Sequence, residues 1–251
     1  MPLPSILAVF AHPDDESLSA GGVLARHAAS GARTGVVTAT WAEGSSRAAE
    51  LADALRILGA GEPRMLGYAD ARVPDSAPGA ARFCEAPLDE AVGRLVAQIR
   101  EFRPDIVVTH DAYGATGHPD HVHTHRVTVL AVEAAGWGRL CPEAGAPWRP
   151  GALHLATLPD SAARVLSDVL LPGRELYSVP DEWITAAVDV GPWAGQKLAA
   201  VMAHRSEVAR EALPGRLAAM SPRDRERALS TEWYVRYGAG PRSAPLAELT
   251  V

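Results

Sequence analysis

Short uninterrupted apolar runs alternate with amphipathic stretches along the first half of this chain. Ser-Ile-Leu-Ala-Val-Phe-Ala, starting at Ser5, has the length and character of a strand buried on both faces. After a charged turn, Leu18, Val23, Leu24 and Ala28 fall at helical spacing, which predicts a helix over 17–30 with Gly31 as a left-handed C-cap. The alternation then repeats: a strand over 34–40, a helix over 47–58 ending at Gly59, and a third strand over 64–66. A loop rich in Pro, Gly, Ala and Ser covers 67–87, and loops of that length tend to be either functional or mobile, with substrate contact the reading favoured here. A helix over 88–102 stops before Pro104, a fourth buried strand follows over 105–109, and a helix over 121–135 comes after a polar loop. This βαβα rhythm predicts an α/β fold with a mostly parallel sheet and helices on both faces, in the strand order 3-2-1-4-5. The Gly- and Pro-rich stretch 136–151 is the best candidate boundary. Beyond it stand a strand over 153–157, a less regular C-terminal third, and a clear helix over 193–204.

Composition narrows the class. The chain has 251 residues, 47% of them hydrophobic and 22% charged, which fits one globular domain and excludes disorder and coiled coil. Within a single domain 1–251, residues 1–136 form the core, and 152–251 are expected to complete the sheet and cover its crevice. A net charge of −6 leaves no basic stripe, so nucleic acid is not an expected partner. No apolar run reaches the roughly 18 residues of a membrane span and no basic n-region precedes the first strand, so a cytoplasmic protein without a membrane partner is expected. Cys84 and Cys141 form no Cys-x-x-Cys pair. A homo-oligomer is compatible with all of this.

The chemistry concentrates in two echoes of one tripeptide. His12-Pro13-Asp14-Asp15-Glu16 follows the first strand, and His118-Pro119-Asp120-His121 follows the fourth. In a 3-2-1-4-5 sheet these strands are neighbours at the switch point, so both segments meet in one crevice. Two imidazoles and a carboxylate facing an open position make a catalytic zinc site, for which His12, Asp15 and His121 are the candidates. Iron or cobalt suits the same donors. An acidic N-cap cluster would explain one carboxylate, but three behind His-Pro exceed what capping requires. His121 and His125, at i and i+4, form a second spacing able to hold zinc; without the intervening glutamate it is not His-Glu-x-x-His. His123 and His125 read as helix-face residues. With a metal seated, Asp14 is the natural general base, and His118 can face the oxyanion or the leaving amine with Asp120 as its orienting partner. No Gly-x-Ser-x-Gly or Gly-x-Gly-x-x-Gly is present, which removes the serine-hydrolase and dinucleotide readings.

These motifs, Ala-His-Pro-Asp-Asp-Glu at 11–16 and His-Pro-Asp-His at 118–121, resemble those of the LmbE/PIG-L family of zinc-dependent de-N-acetylases. The resemblance covers most of residues 5–136. It implies a Rossmann-like fold and a metal-dependent hydrolase that removes an acyl group, usually acetyl, from an amino sugar conjugate. It also implies His12, Asp15 and His121 as ligands, Asp14 as base and His118 as stabiliser or acid. Arg47-Ala48-Ala49-Glu50 is similar to the family's Arg-x-x-Glu helix start, where the arginine approaches substrate; its ordinary reading is a surface ion pair. Asp75-Ser76 is similar to a sugar-holding pair in the mycothiol branch, followed here by Ala77-Pro78 instead of Gly-Met. That branch also places a tyrosine two residues before the first histidine of the second motif. Thr116 stands there in this chain, with Tyr113 the nearest phenol. The segment 197–207 resembles the family's C-terminal Lys…His-x-Ser-Gln helix, with Glu207 replacing glutamine. These departures favour a secondary-metabolite or antibiotic glycoside as substrate. The alternatives are a mycothiol-pathway deacetylase or mycothiol S-conjugate amidase and, in another class, a catalytically silent sugar-conjugate binding protein.

Overall fold

A computed structural model describes residues 2–170 and 176–238. Seven strands form one sheet in the order β3-β2-β1-β4-β5-β7-β6. The five parallel members are β1 (Ile6–Phe10), β2 (Thr34–Thr40), β3 (Arg64–Tyr68), β4 (Ile106–His110) and β5 (Ala152–Thr157). Each is thus in the predicted place. Two antiparallel strands from the C-terminal third, β6 (Ala186–Asp189) and β7 (Thr231–Arg236), extend the sheet beyond β5. Residues 171–175 and 239–251 of the predicted C-terminal part lie outside the described residues.

Alternate residues of β1 feed two cores, as a strand covered on both faces requires. Ile6, Ala8 and Phe10 pack against α2 (Gly21–Ala29), α3 (Ser46–Leu58) and α8 (Ala194–Ala203). Leu7 and Val9 face α4 (Leu88–Phe102) and α6 (Pro119–Ala135). Ser45 caps α3 by accepting from the Ala48 N–H, and Gly59 closes it at φ 74°. The stretch 136–151 does not separate two units, because β4 and β5 pair across it. It is tied down by the buried Arg100 of α4, whose guanidinium donates to the carbonyls of Ala134, Ala135, Trp137, Leu140, Cys141 and Gly145.

The single helix expected over 17–30 is two helices. α1 (Asp15–Ser19) starts earlier, and Ala20, at φ −144° and ψ 6°, breaks the path before α2. The break lets α2 approach the C-terminal part: a Cβ on Gly22 would lie 2.5 Å from Val190 Cβ. Glu232 of β7 then accepts from the Gly22 and Val23 N–H groups and pairs with Lys197 of α8 at 2.7 Å. Helical spacing alone cannot register such a break, since the partners lie about two hundred residues away in sequence. No helix among the described residues is long and apolar enough to cross a membrane.

Candidate active site

The register Val9↔Thr109 places the carboxyl ends of β1 and β4 level and adjacent. His12 follows β1, and Asp15 opens α1 after a turn in which Asp14 takes φ 132°. Such a positive φ is costly for a non-glycine residue and persists only where its surroundings enforce it. Glu16 does so here: its fully buried carboxylate accepts from the Asp14 N–H (3.0 Å) and from the Ser17 hydroxyl (2.5 Å), and pairs with His204 Nε2 (2.9 Å). Asp15 Oδ2 accepts from the His12 N–H at 2.9 Å, closing the turn from the other side.

Three donor atoms converge. His12 Nδ1 lies 3.0 Å from His121 Nε2 and 3.5 Å from Asp15 Oδ2, and Asp15 Oδ2 lies 3.4 Å from His121 Nε2. Tetrahedral coordination with bonds of about 2.0–2.1 Å requires donor–donor edges of about 3.3 Å, which this triangle matches. The outer nitrogens of both imidazoles are also engaged, as in metal sites whose ligand histidines are held by a second set of partners. His121 Nδ1 donates to the Gly114 carbonyl at 2.9 Å, a contact that needs glycine: Gly114 has φ 69°, and a Cβ there would stand 2.4 Å from His121 Cβ. His12 Nε2 faces Asp120 Oδ2 at 3.2 Å and Asp70 Oδ2 at 3.3 Å. Among the described residues, His12, His118 and His121, His12, Asp70, His118 and Asp120, and Asp15, His110 and His121 each form a buried group whose donor atoms lie within 4.8 Å of one another, so the cluster as a whole is able to hold a metal ion.

Electrostatics agree with that geometry. Burial opposes charge on His12, but Asp120, Asp15 and Asp70 outweigh it and hold its pKa up at about 10, so a cation is stabilised at this point. Burial would raise Asp15, yet His121 and His110 keep it well below the usual carboxylate range. Burial and the neighbouring Asp15 push Asp14 up to about 7 against the pull of Arg47 and His204. Burial and the nearby His12 lower His118 to about 4, leaving it neutral near pH 7. His118 is the N-cap of α6, which begins two residues before the predicted start. Its Nδ1 accepts from the Asp120 N–H at 3.2 Å, so the neutral ring carries its proton on Nε2.

The other predicted residues divide. Asp120 is buried and serves His12 rather than His118, from which its Oδ2 stands 3.8 Å. Its two oxygens also accept from the Ala71 and Cys84 N–H groups, pinning the 67–87 loop to the site. Arg47 is 4% exposed and is no surface pair: it meets Asp14 Oδ1 at 3.3 Å and Glu207 at 2.7 Å, donates to the Pro13 carbonyl, and lies over Trp41. Asp75 is exposed, and the Ser76 hydroxyl accepts from the Asp70 N–H. Thr116 is exposed, and Tyr113, 44% exposed, stacks on Tyr177 at 3.7 Å. Sequence reasoning missed Asp70, His110, and the Glu16–His204 pair. Asp70 and His110 stand at the carboxyl ends of β3 and β4, where the switch-point rule could have drawn attention to them. Residues 188 apart give no local signal of pairing.

Comparison with known proteins fits the geometry. Residues 7–132 match the PIG-L family, described as GlcNAc-PI de-N-acetylase. A Rhodococcus jostii protein named 1D-myo-inositol 2-acetamido-2-deoxy-alpha-D-glucopyranoside deacetylase is 38% identical over 238 residues, covering 81% of this chain and 81% of its own. Among solved structures, a conserved Thermus thermophilus protein aligns with TM-score 0.64 and 28% identity over 99% of this chain and 98% of its own. The N,N'-diacetylchitobiose deacetylase of Pyrococcus horikoshii shares the fold at TM-score 0.64 and 20% identity, over 93% of this chain and 83% of its own. With both motifs converging on one metal-binding group, the chain belongs to the PIG-L/LmbE family and is a hydrolase of the N-deacetylase class.

Proposed function

We propose that this protein is a zinc-dependent deacetylase of an N-acetylated amino sugar conjugate, with His12, Asp15 and His121 as ligands. The observation that carries the reading is the triangle of 3.0, 3.4 and 3.5 Å between their donor atoms. A cation bound there supplies Lewis acidity for the acyl oxygen and acidifies water. Asp14, poised near neutrality, takes the proton of the attacking water. His118 donates an Nε2–H hydrogen bond to the oxyanion as the amide carbon becomes tetrahedral, and the proton that Asp14 took from the water passes to the departing amine. Arg47, fixed by Glu207, holds Asp14 in place. Thr116 has a hydroxyl but no phenol, and Tyr113 is exposed and stacked on Tyr177, so among this chain's own groups the oxyanion donor is His118. The C-terminal part, through α8 and the helix α9 (Arg205–Ala209), closes one wall of the crevice by bringing His204 and Glu207 to the motif.

For the substrate, similarity to the inositol glycoside deacetylases favours a small N-acetylglucosaminyl conjugate. A second reading, an apolar-substituted glycoside such as a secondary metabolite, is favoured by a cavity of about 270 Å³ beside the motif loops. Its lining includes Leu18, Thr116, Leu166, Tyr177, Leu213 and Trp233. Amine release from N-acetylglucosaminyl inositol and from N-acetylglucosaminides with extended apolar aglycones separates the two. Faster turnover of the former supports the first reading, faster turnover of the latter the second, and no release from either contradicts both.

A further inference from the structure

Trp41 has no role in the chemistry above, yet the fold accepts two costs to place it. It is the first residue beyond β2 and takes φ 76°, in the left-handed region that a bulky side chain normally avoids. Its indole Nε1–H is buried without a hydrogen-bond partner, although a buried tryptophan ordinarily finds one. The backbone around it is fastened to three segments. Thr40 donates its N–H (3.0 Å) and its hydroxyl (2.8 Å) to the Ala11 carbonyl, Trp41 donates its N–H to the Tyr68 carbonyl (2.9 Å), and Ala42 donates its N–H to the Ser76 carbonyl (3.0 Å). Trp41 is thereby pinned between the motif that follows β1 and the 67–87 loop. What this placement uses is the face of the ring: the Arg47 guanidinium lies over it, with Cζ 4.9 Å from the ring centroid. Arg47 Nη1 pairs with Glu207 at 2.7 Å, and Nη2 meets the Pro13 carbonyl and, at 3.3 Å, Asp14 Oδ1. Its Nε–H is also buried without a hydrogen-bond partner. An aromatic face attracts a guanidinium and is a weak acceptor for such an N–H.

We propose that Trp41 is a positioning residue of the reaction: its indole face fixes the plane of the Arg47 guanidinium and, through it, the carboxylate of Asp14. The inference rests on Asp14 as the base in the reading above. Hydrogen bonds to Glu207 and the Pro13 carbonyl restrain the guanidinium within its own plane, whereas the indole restrains tilt out of it. Tilt would act first on the Asp14 contact, which at 3.3 Å is already long for a charge-assisted pair. A base displaced by a fraction of an ångström from the attacking water loses rate without losing substrate affinity.

The decisive comparison is between Trp41→Leu, which keeps apolar bulk and deletes the aromatic face, and Trp41→Phe, which returns a smaller face. With zinc-loaded protein and N-acetylglucosaminyl inositol, Trp41→Leu should lower kcat about tenfold with KM within about twofold of wild type, and Trp41→Phe should recover most of the loss. In an Arg47→Gln background the same Trp41→Leu change should cost less than about twofold, because the ring acts through the guanidinium. A direct readout needs neither substrate nor a second substitution. In the proton–nitrogen NMR spectrum, the Arg47 Nε–Hε resonance should move when Trp41 becomes leucine. An unmoved resonance overturns the proposal, as does a Trp41→Leu kcat equal to that of wild type. A rise in KM alone, or a loss of kcat that persists undiminished beside Arg47→Gln, also overturns it, because Trp41 would then act on the substrate or elsewhere. Asp14→Ala, measured alongside, tells the levels apart. If it loses turnover while Trp41→Leu matches wild type, only Trp41 is wrongly placed; if it keeps turnover, the base reading itself is wrong.

Discussion

Replacing Glu16 by glutamine removes one charge and leaves the shape. The amide oxygen can still accept from the Asp14 N–H, so the main loss is the partner of His204, whose side chain and that of Glu16 are both 0% exposed. Removing one member of a buried ion pair typically costs about 3–5 kcal/mol. Because His204 can shed its proton instead of remaining a lone buried charge, the lower end, about 3 kcal/mol, is the expected value. For a chain of this length that is about 6–12 °C in Tm. The pH dependence has a definite sign. Burial opposes ionisation of Glu16, but His204 outweighs it and depresses its pKa, so its contribution is present above about pH 4.3 and lost as pH falls through the folded value. Burial opposes charge on His204, but Glu16 and Asp14 raise its pKa, so that contribution is complete below about pH 6.5 and lost as pH rises through the folded value. The Tm gap between wild type and Glu16→Gln should therefore be widest between about pH 4.5 and 6.5 and narrow on both sides. Because a charged His204 also pulls the Asp14 pKa down, its discharge in the variant should raise that pKa and lower kcat at temperatures well below the melting range. A Tm within about 2 °C of wild type at pH 6, with kcat unchanged, would refute the role given to the pair.

Other variants test separate links. Asp14→Ala should keep its metal and lose about 10²–10⁴-fold in kcat, the usual contribution of a general base. In the wild type, kcat/KM should rise with pH along an acid limb at or below about 7, because a bound cation pulls Asp14 down from the value set by burial; a limb that survives in Asp14→Ala would assign it to another group. Asp120→Asn should weaken zinc binding by about 10–100-fold by loosening His12, as read by chelator competition. Unchanged affinity would mean that Asp120 only anchors the 67–87 loop.

The parallel half of the sheet was legible because β1, β2 and β4 are buried along their whole length and read as short runs of apolar, threonine and small residues between helical stretches. That His12, Asp15 and His121 would meet was legible because strand order brings the ends of β1 and β4 together. What escaped depends on distant partners. The break at Ala20 answers to Val190, Lys197 and Glu232, and the Asp14 turn answers to His204. Of the two readings of Arg47, a substrate-approaching arginine and a surface i, i+3 ion pair, the second does not describe it: the residue is buried, and Glu207 comes to meet it. That Asp70 of the same loop faces His12, with the Ser76 hydroxyl accepting from its N–H, had no counterpart in the motif spacing.

The most direct test is metal content of the purified protein combined with amine release from N-acetylglucosaminyl conjugates, before chelation, after chelation, and after back-titration with zinc. One equivalent of metal per chain, activity lost with it, and activity restored by one equivalent of zinc is the predicted result. Full amine release by the chelated, metal-free protein would contradict a metal centre at His12, Asp15 and His121.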